Sequence, residues 1–302
     1  MDKVIRCITS DGAFMAIGID ASDLVYTAQN LHNLNKTTAA AFGRLLSASS
    51  MMGTLLKNDK ASLTVKIDGG GPIGTMLVKA DSHGNVRGFV DHPEVDFPIR
   101  ESDGKIDVGA AVGKNGRLAV LRDQGSGEPY VGQVELVSGE IGEDITAYYA
   151  YSEQVPSVCA VGVLTDKEDD KVILAGGLLI QVLPGAYDSE IQKLEENIAK
   201  LEPVTTMLAK GFDAFAMCKA ALEGFEVEKL DEFAVNYVCN CSKEKFSEML
   251  LTIGSDDIRD LPLVADGRAE AICEYCNKKY HFTKEELEAL ALEAEERVLK
   301  KK

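Results

Sequence analysis

Cys239-Asn240-Cys241 and Cys273-Glu274-Tyr275-Cys276 are two close pairs of cysteines in a chain of 302 residues, and 31 residues separate one pair from the other. Cysteine pairs at both ends of a short module are typical of a structural zinc site, in which four thiolates surround one ion tetrahedrally. Bound zinc supplies on the order of 10 kcal/mol of folding free energy to such a module. The spacing therefore predicts a small C-terminal domain, residues 236–302, that folds around one zinc ion.

The four predicted zinc ligands are Cys239, Cys241, Cys273 and Cys276. A single residue separates the first two cysteines, whereas a conventional zinc ribbon has two Cys-x-x-Cys motifs. Four thiolates and one dication carry a net charge of about −2. Nearby lysines are expected to offset part of this charge: Lys243, Lys245, Lys278 and Lys279. His281 is an alternative ligand, but a structural site is four-coordinate and the four sulfurs already fill it.

Two other functions fit a cluster of cysteines. Cys273-Glu274-Tyr275-Cys276 has the spacing of a thiol-disulfide oxidoreductase, but no thioredoxin-like unit surrounds it. The other alternative is a zinc-ribbon interaction module that binds nucleic acid. The chain has 49 acidic and 32 basic residues, and its net charge of −17 repels phosphate backbones. Both alternatives are disfavoured, and no nucleic-acid partner is expected.

Further features of the sequence favour a reducing compartment. The N-terminal residues lack the apolar core and cleavage site of a signal peptide, and no run of 18 apolar residues could span a membrane. Clustered cysteines in the cytosol bind metal or perform redox chemistry more often than they form stable disulfides. We expect a cytoplasmic protein without a membrane partner. Cys7, Cys159 and Cys218 lie in apolar surroundings and are predicted to be buried thiols without a role.

Residues 1–183 consist of short strand-like runs between turn signals, with two helical stretches. Asp11-Gly12 marks the first hairpin, and residues 62–91 are predicted to form a three-stranded meander. Residues 37–57 carry apolar side chains at helical spacing, and residues 143–154 are predicted to form a second helix. These patterns predict a mixed α+β domain whose sheets are rich in antiparallel strands.

The composition changes after Pro184, and we predict that residues 184–235 form a helical linker. Two narrow apolar stripes mark its helices, one between Ile191 and Leu201 and one between Phe212 and Leu222. Residues 184–237 contain 11 acidic and 5 basic residues, so these short helices repel one another and depend on packing for their stability. We therefore expect the linker to be metastable.

Nothing in the sequence indicates catalysis. The run Gly69-Gly70-Gly71-Pro72-Ile73-Gly74 lacks the Gly-Lys-Ser/Thr ending of a phosphate-binding loop, and no helix follows it, so a wide hairpin turn is predicted instead. The four histidines are dispersed along the chain, and no Ser/His/Asp set stands out. We expect that the protein is not an enzyme.

The cysteine pattern resembles that of the 33-kilodalton redox-regulated heat-shock chaperones, which are acidic proteins of similar length. Other motifs extend the resemblance over nearly the whole chain. They comprise the glycine run, the Ser-Glu-Gln-x-Pro element Ser152-Glu153-Gln154-Val155-Pro156, the closing strand Gly176-Gly177-Leu178-Leu179-Ile180-Gln181-Val182-Leu183-Pro184, and Val238-Cys239-Asn240-Cys241-Ser242-Lys243-Glu244. The chain therefore resembles this family over nearly its whole length.

The resemblance implies a holdase, a chaperone that binds unfolded client proteins without ATP and is inactive while it is reduced and zinc-bound. It implies that peroxide or hypochlorous acid, together with heat, converts the zinc ligands into two disulfides, Cys239–Cys241 and Cys273–Cys276, and releases zinc. It further implies a homodimer after activation, and transfer of clients to ATP-dependent foldases after reduction.

Overall fold

The computed structural model describes residues 2–101 and 104–300. The chain divides into two compact units, Met1–Val238 and Cys239–Lys302. Residues 184–235, the predicted linker, thus belong to the first unit. The sequence also predicts boundaries at residues 183 and 235, which separate a metastable linker from the two domains. That division depends on the stability of the linker, and it stays a prediction.

Two five-stranded antiparallel sheets form the framework of the first unit. Its strands in the described residues are β1 (Lys3–Thr9), β2 (Phe14–Asp20), β3 (Ser62–Asp68), β4 (Thr75–Asp81), β5 (Val86–Val90), β6 (Arg117–Asp123), β7 (Tyr130–Glu135), β8 (Ser157–Thr165), β9 (Val172–Val182) and β10 (Val227–Ala234). The first sheet has the order β10-β1-β2-β9-β8 and the second β5-β4-β3-β6-β7. All these strand pairs are antiparallel, which confirms the predicted fold class.

The helices of the first unit lie on and between these sheets. They are α1 (Ser22–His32), α2 (Lys36–Gly53), α3 (Val108–Val112), α4 (Gly142–Tyr148), which continues as a π-helical turn (Tyr149–Glu153), α5 (Asp188–Lys200), α6 (Val204–Ala209) and α7 (Ala214–Ala221). The predicted helices at residues 37–57 and 143–154 are confirmed. No helix was predicted at α1, which carries only a narrow apolar stripe of Leu24, Val25 and Ala28.

The central core of the first unit lies around α2, which packs against strands of both sheets. Phe42, Leu45, Leu46 and Met51 of this helix are fully buried. Alanine, serine and glycine occupy most of its other positions, and small side chains allow a helix to approach both sheets closely. Burial of apolar area around α2 contributes favourably to the folding of this unit.

A second, smaller core lies on the opposite face of the first sheet, where α6 and α7 pack. Met207 and Met217 of these helices belong to one buried cluster with Phe14 and Leu178 of the sheet. The helical assignment of residues 184–235 is wrong for its last part, because residues 227–234 form β10. This strand pairs with β1 at the edge of the sheet, and that long-range pairing overrides its weak local pattern.

The second unit is small and contains three helices and one hairpin in its described residues. They are α8 (Lys243–Leu250), α9 (Ser255–Arg259), β11 (Ala269–Ile272), β12 (Lys279–Phe282) and α10 (Lys284–Lys300). Its core is a single cluster around Ile258, Phe282 and Leu287. A core of this size stabilises a domain poorly without a metal ion or a disulfide.

A capping box begins α10, as the sequence predicts. The backbone N–H of Glu286 donates to the hydroxyl of Thr283 at 3.2 Å, and the backbone N–H of Thr283 donates to the carboxylate of Glu286 at 2.9 Å. These bonds satisfy two of the free N–H groups at this helix start. None of the described helices is both long enough and apolar enough to cross a membrane.

Candidate metal centre

Two local structures hold the cysteine pairs. Cys239 and Cys241 come directly before α8, whose first turn is capped by the Ser242 hydroxyl, which accepts from the Lys245 N–H at 3.3 Å. The second pair occupies the tight turn between β11 and β12, where the N–H groups of Cys276 and Asn277 both donate to the carbonyl of Cys273. Both backbone segments are therefore fixed by hydrogen bonds that do not involve a metal.

The tertiary structure brings all four predicted ligands together. Their Sγ atoms all lie within 4.8 Å of one another. The Cys239 and Cys273 sulfurs are 3.7 Å apart, and those of Cys241 and Cys276 are 3.4 Å apart. A tetrahedron of sulfurs around zinc, with Zn–S bonds of about 2.3 Å, has edges of about 3.8 Å. The four thiols therefore match the size of a tetrahedral metal site, and they can hold one ion.

Tyr280 belongs to the candidate site, although no sequence pattern predicted it there. Its hydroxyl lies 3.1 Å from Cys241 Sγ, and its ring packs against Phe246. Burial raises the pKa of Cys241, but hydrogen bonds from Tyr280 and from the other thiols outweigh this effect and lower it to about 7. A thiol in this range is partly ionised at neutral pH, which favours both metal binding and reaction with oxidants. The only sequence signal for Tyr280 is its position four residues after Cys276.

The β11–β12 turn, which carries Cys273 and Cys276, favours protonated thiols when no metal is bound. Burial raises the pKa of Cys273 and of Cys276 above the ordinary value for cysteine. A metal ion must displace these protons, so metal binding weakens as the pH falls.

The charges around the site differ from those expected. Lys243 donates to Glu286 at 2.6 Å and Lys279 to Glu270 at 3.0 Å, so these two ammonium groups are already paired with carboxylates. Lys245 and Lys278 form no ion pair with a described residue, and Lys278 lies over the Tyr280 ring. The positive charge available to offset four thiolates is therefore smaller than the lysine count suggests.

Other residues considered from the sequence lie outside this group. Within the described part of the chain, the group that could hold a metal consists of the four cysteines and does not include His281. The Nε2 atom of His281 lies 3.8 Å from the carboxylate of Glu270. Cys7, Cys159 and Cys218 are buried in the first unit, as predicted.

Replacing Tyr280 by phenylalanine is expected to weaken metal binding by about 10-fold to 100-fold, because the hydrogen bond from its hydroxyl to the Cys241 sulfur is lost while the ring stays in place. The pKa of Cys241 should rise from about 7, so the loss of metal affinity on acidification should begin at a higher pH. Competition of the reduced protein with a chromophoric chelator, between pH 6 and pH 9, measures both effects. The control is Tyr151→Phe, since Tyr151 is 77% exposed and lies in the first unit. Equal affinities of wild type and Tyr280→Phe would show that this hydroxyl does not tune the site.

Comparison with known proteins places the chain in a family. The sequence profile of the family described as Hsp33 protein matches residues 2–283. The chain belongs to the Hsp33 family. It is 44% identical over 290 residues to the 33 kDa chaperonin of Bacillus licheniformis, a match that covers 96% of this chain and 99% of the relative. It is also 44% identical to the 33 kDa chaperonin of Clostridioides difficile, with 95% and 97% of the two chains covered.

The fold of this Hsp33-family chain is also similar to a solved structure. The crystal structure of the 33 kDa chaperonin of Thermotoga maritima has a TM-score of 0.86 to it at 31% sequence identity, and the match covers 98% of both chains. The resemblance seen in the sequence motifs is thus confirmed for both sequence and fold.

The motifs that carried the Hsp33 resemblance have structural positions in the first unit. Gly69–Gly74 connects β3 to β4 and packs so closely on Val112 and Gly113 that a side chain at Gly69 would clash. Glu153, in the π-helical turn, accepts from the Tyr148 hydroxyl and pairs with Arg122 at 2.8 Å. Both features stabilise the second sheet and its connections.

Proposed function

We propose that this chain is a chaperone that binds unfolded proteins without ATP and is switched on by oxidation of its four C-terminal cysteines. Membership of the Hsp33 family supports the chaperone activity. The observation that supports the switch is the cluster of four thiols within 4.8 Å in a unit with a small core. Zinc is the metal we propose, because four thiolate sulfurs in a tetrahedral arrangement favour it.

In the reduced state, Cys239, Cys241, Cys273 and Cys276 are the proposed ligands of one ion. These four side chains would hold the ion and would thereby join the segment before α8 to the β11–β12 turn. The protein contributes the two prearranged backbone turns and the Tyr280 hydroxyl, which favours the thiolate of Cys241. Since the resting site must stay reduced, we place the protein in the cytoplasm.

Oxidation is proposed to form the disulfides Cys239–Cys241 and Cys273–Cys276. For each disulfide, two thiolates give two electrons to one peroxide molecule, which takes up two protons and leaves as two water molecules. The shortest sulfur distances run across the two motifs rather than within them. Pairing within each motif is supported by the short loops that it closes, because those cysteines remain close together when the unit unfolds.

Loss of the four metal bonds is proposed to unfold the second unit and to release the linker. In the structure, α6 and α7 cover an apolar face of the first sheet that includes Phe14, Leu178 and Ile180. Departure of these helices would expose both their own apolar stripe and that face of the sheet. Exposed apolar surface of this kind binds unfolding proteins. We also propose that clients pass to ATP-dependent foldases after reduction and that the activated form is a homodimer.

The proposal is tested by the aggregation of a thermally unfolding client protein. We expect that peroxide-treated protein at elevated temperature suppresses light scattering, whereas reduced, zinc-loaded protein has little effect. Zinc release, followed with a chromophoric chelator, should accompany the gain of activity. Equal suppression by both forms would refute an oxidation switch.

An insulin-reduction assay distinguishes this function from thiol-disulfide oxidoreductase activity. Cys273 and Cys276 lie between two strands rather than at the start of a helix, so the low pKa of a catalytic thiol is not expected there. We expect each protein molecule to reduce at most one insulin disulfide, without repeated turnover. Repeated turnover would favour the oxidoreductase.

A further inference from the structure

Two further cysteines, outside the candidate metal centre, come together where α7 packs on the first sheet. Cys7 lies in β1 and Cys218 lies in α7. Both side chains are fully buried in the smaller core, although 210 residues separate them along the chain. Neither belongs to the candidate metal centre.

A glycine in the neighbouring strand allows the two thiols to approach. Cys7 pairs with Ala16 of β2, and Gly18 follows on the same face of that strand. A Cβ atom at Gly18 would lie 2.9 Å from Cys218 Sγ and would collide with the backbone carbonyl of Ala214. The helix therefore lies directly on the strand at Gly18, and the Cys218 sulfur lies beside the face that carries Cys7.

The two thiols influence each other's ionisation. A side-chain interaction with Cys218 lowers the pKa of Cys7, and the same interaction, together with burial, raises the pKa of Cys218. Such a pair has one sulfur that ionises more easily and a neighbour that can attack it after oxidation, which is the arrangement of a reactive and a resolving cysteine. Cys159, by contrast, is a single buried thiol, and burial raises its pKa to about 12.

We propose that Cys7 and Cys218 form a second redox site, which reacts with two-electron oxidants of the peroxide or hypochlorite class and closes into a disulfide that fixes α7 on β1. In the first step, the Cys7 thiolate attacks one peroxide oxygen, the O–O bond breaks, and the departing hydroxide takes up a proton to become water. In the second step, the Cys218 sulfur attacks the Cys7 sulfenic acid, the S–O bond breaks, and a second water leaves with the Cys218 proton.

The burial of this site determines when it reacts. Oxidants reach the two sulfurs only when α7 moves partly away from the sheet. The site should therefore react more slowly than the metal-centre cysteines, three of which are only partly buried, and it should react faster as the temperature rises. Once formed, the disulfide holds α7 on the sheet even when the second unit has lost its metal. It would therefore limit the release of the linker. Formation of the disulfide itself does not depend on the proposed chaperone activity.

Peptide mapping tests the proposal, because trypsin places the relevant cysteines in different peptides. Cys7 falls in residues 7–36 and Cys218 in residues 211–219, whereas the metal-centre pairs fall in residues 230–243 and 269–278. The full-length, zinc-loaded protein is treated with peroxide at a series of temperatures, blocked with an alkylating agent under denaturing conditions and digested without reduction. We expect a disulfide-linked peptide of residues 7–36 and 211–219 that increases with temperature. Because the site should react more slowly than the metal centre, the deciding sample is the longest exposure at the highest temperature. Alkylated Cys7 and Cys218 in that sample, with the metal-centre cysteines fully oxidised, would overturn the proposal.

Limited proteolysis tests the consequence for the linker. In oxidised wild type, cleavage between residues 188 and 222 should be at least about tenfold slower than in oxidised Cys7→Ser, because the disulfide opposes opening of α7. Cys159→Ser is the control and should behave as wild type, since Cys159 lies outside the pair. Equal cleavage rates for oxidised wild type and Cys7→Ser would show that the disulfide does not hold the helix.

Discussion

Replacement of Cys239 by serine is expected to reduce bound zinc from about one ion per chain to nearly none and to unfold the second unit. Three thiolates remain, but tetrahedral structural sites use four protein ligands, and a serine hydroxyl is not ionised at neutral pH. The remaining core around Ile258, Phe282 and Leu287 is too small to compensate for about 10 kcal/mol of lost metal binding. Of the changes considered, this one should have the largest effect on structure.

Two measurements check this outcome. Metal analysis after gel filtration gives the zinc stoichiometry, and amide hydrogen exchange reports the folding of β11, β12 and α10. Cys159→Ser is the matched control, since it makes the same chemical change in the first unit and should keep one zinc. A Cys239→Ser protein that retains zinc and a protected β12 would contradict the ligand assignment.

Substitution of Gly18 by valine is expected to displace α7 from the first sheet without any oxidant. The new side chain would occupy the space of the Cys218 sulfur and of the Ala214 carbonyl, and backbone atoms of a helix cannot move aside separately. Overpacking of this kind costs about 1–3 kcal/mol or more. This free-energy cost destabilises the packing of the linker segment on the sheet rather than the core around α2.

The reduced Gly18→Val protein should therefore bind more of an apolar dye and suppress client aggregation before oxidation. Amide exchange should accelerate in α6 and α7, while β3 and β6 keep their protection. Gly127→Ala is the control. Gly127 has a φ of +83° and no atom near its Cβ position, so the change strains the backbone without touching α7. If α7 of Gly18→Val exchanges as slowly as in wild type, the close approach at Gly18 does not hold the helix.

Parts of the fold could be predicted because they depend on local patterns. Alternation along residues 62–91 and the turn residues between them specify β3, β4 and β5, whose pairing needs only short hairpins. The helix α2 carries apolar side chains on all faces, which already indicates burial between two layers. The capping box at Thr283 and Glu286 is likewise complete within four residues.

Other parts could not be predicted because long-range contacts decide them. Residues 227–234 have no clear strand pattern, and they become β10 only because the edge of β1 is available for pairing. Tyr280 has no motif of its own and acquires a role only where the hairpin turn places it beside Cys241.

Sequence patterns alone were enough to predict the α+β class, the family resemblance and the four cysteines of the candidate metal centre, since cysteine spacing and alternation of apolar residues are properties of neighbouring positions. The position of the linker helices on the first sheet and the placement of Cys7 and Cys218 in one buried cluster became known from the folded structure. Those contacts join residues far apart in the chain, and their free energy comes from burying faces whose partners no local pattern identifies.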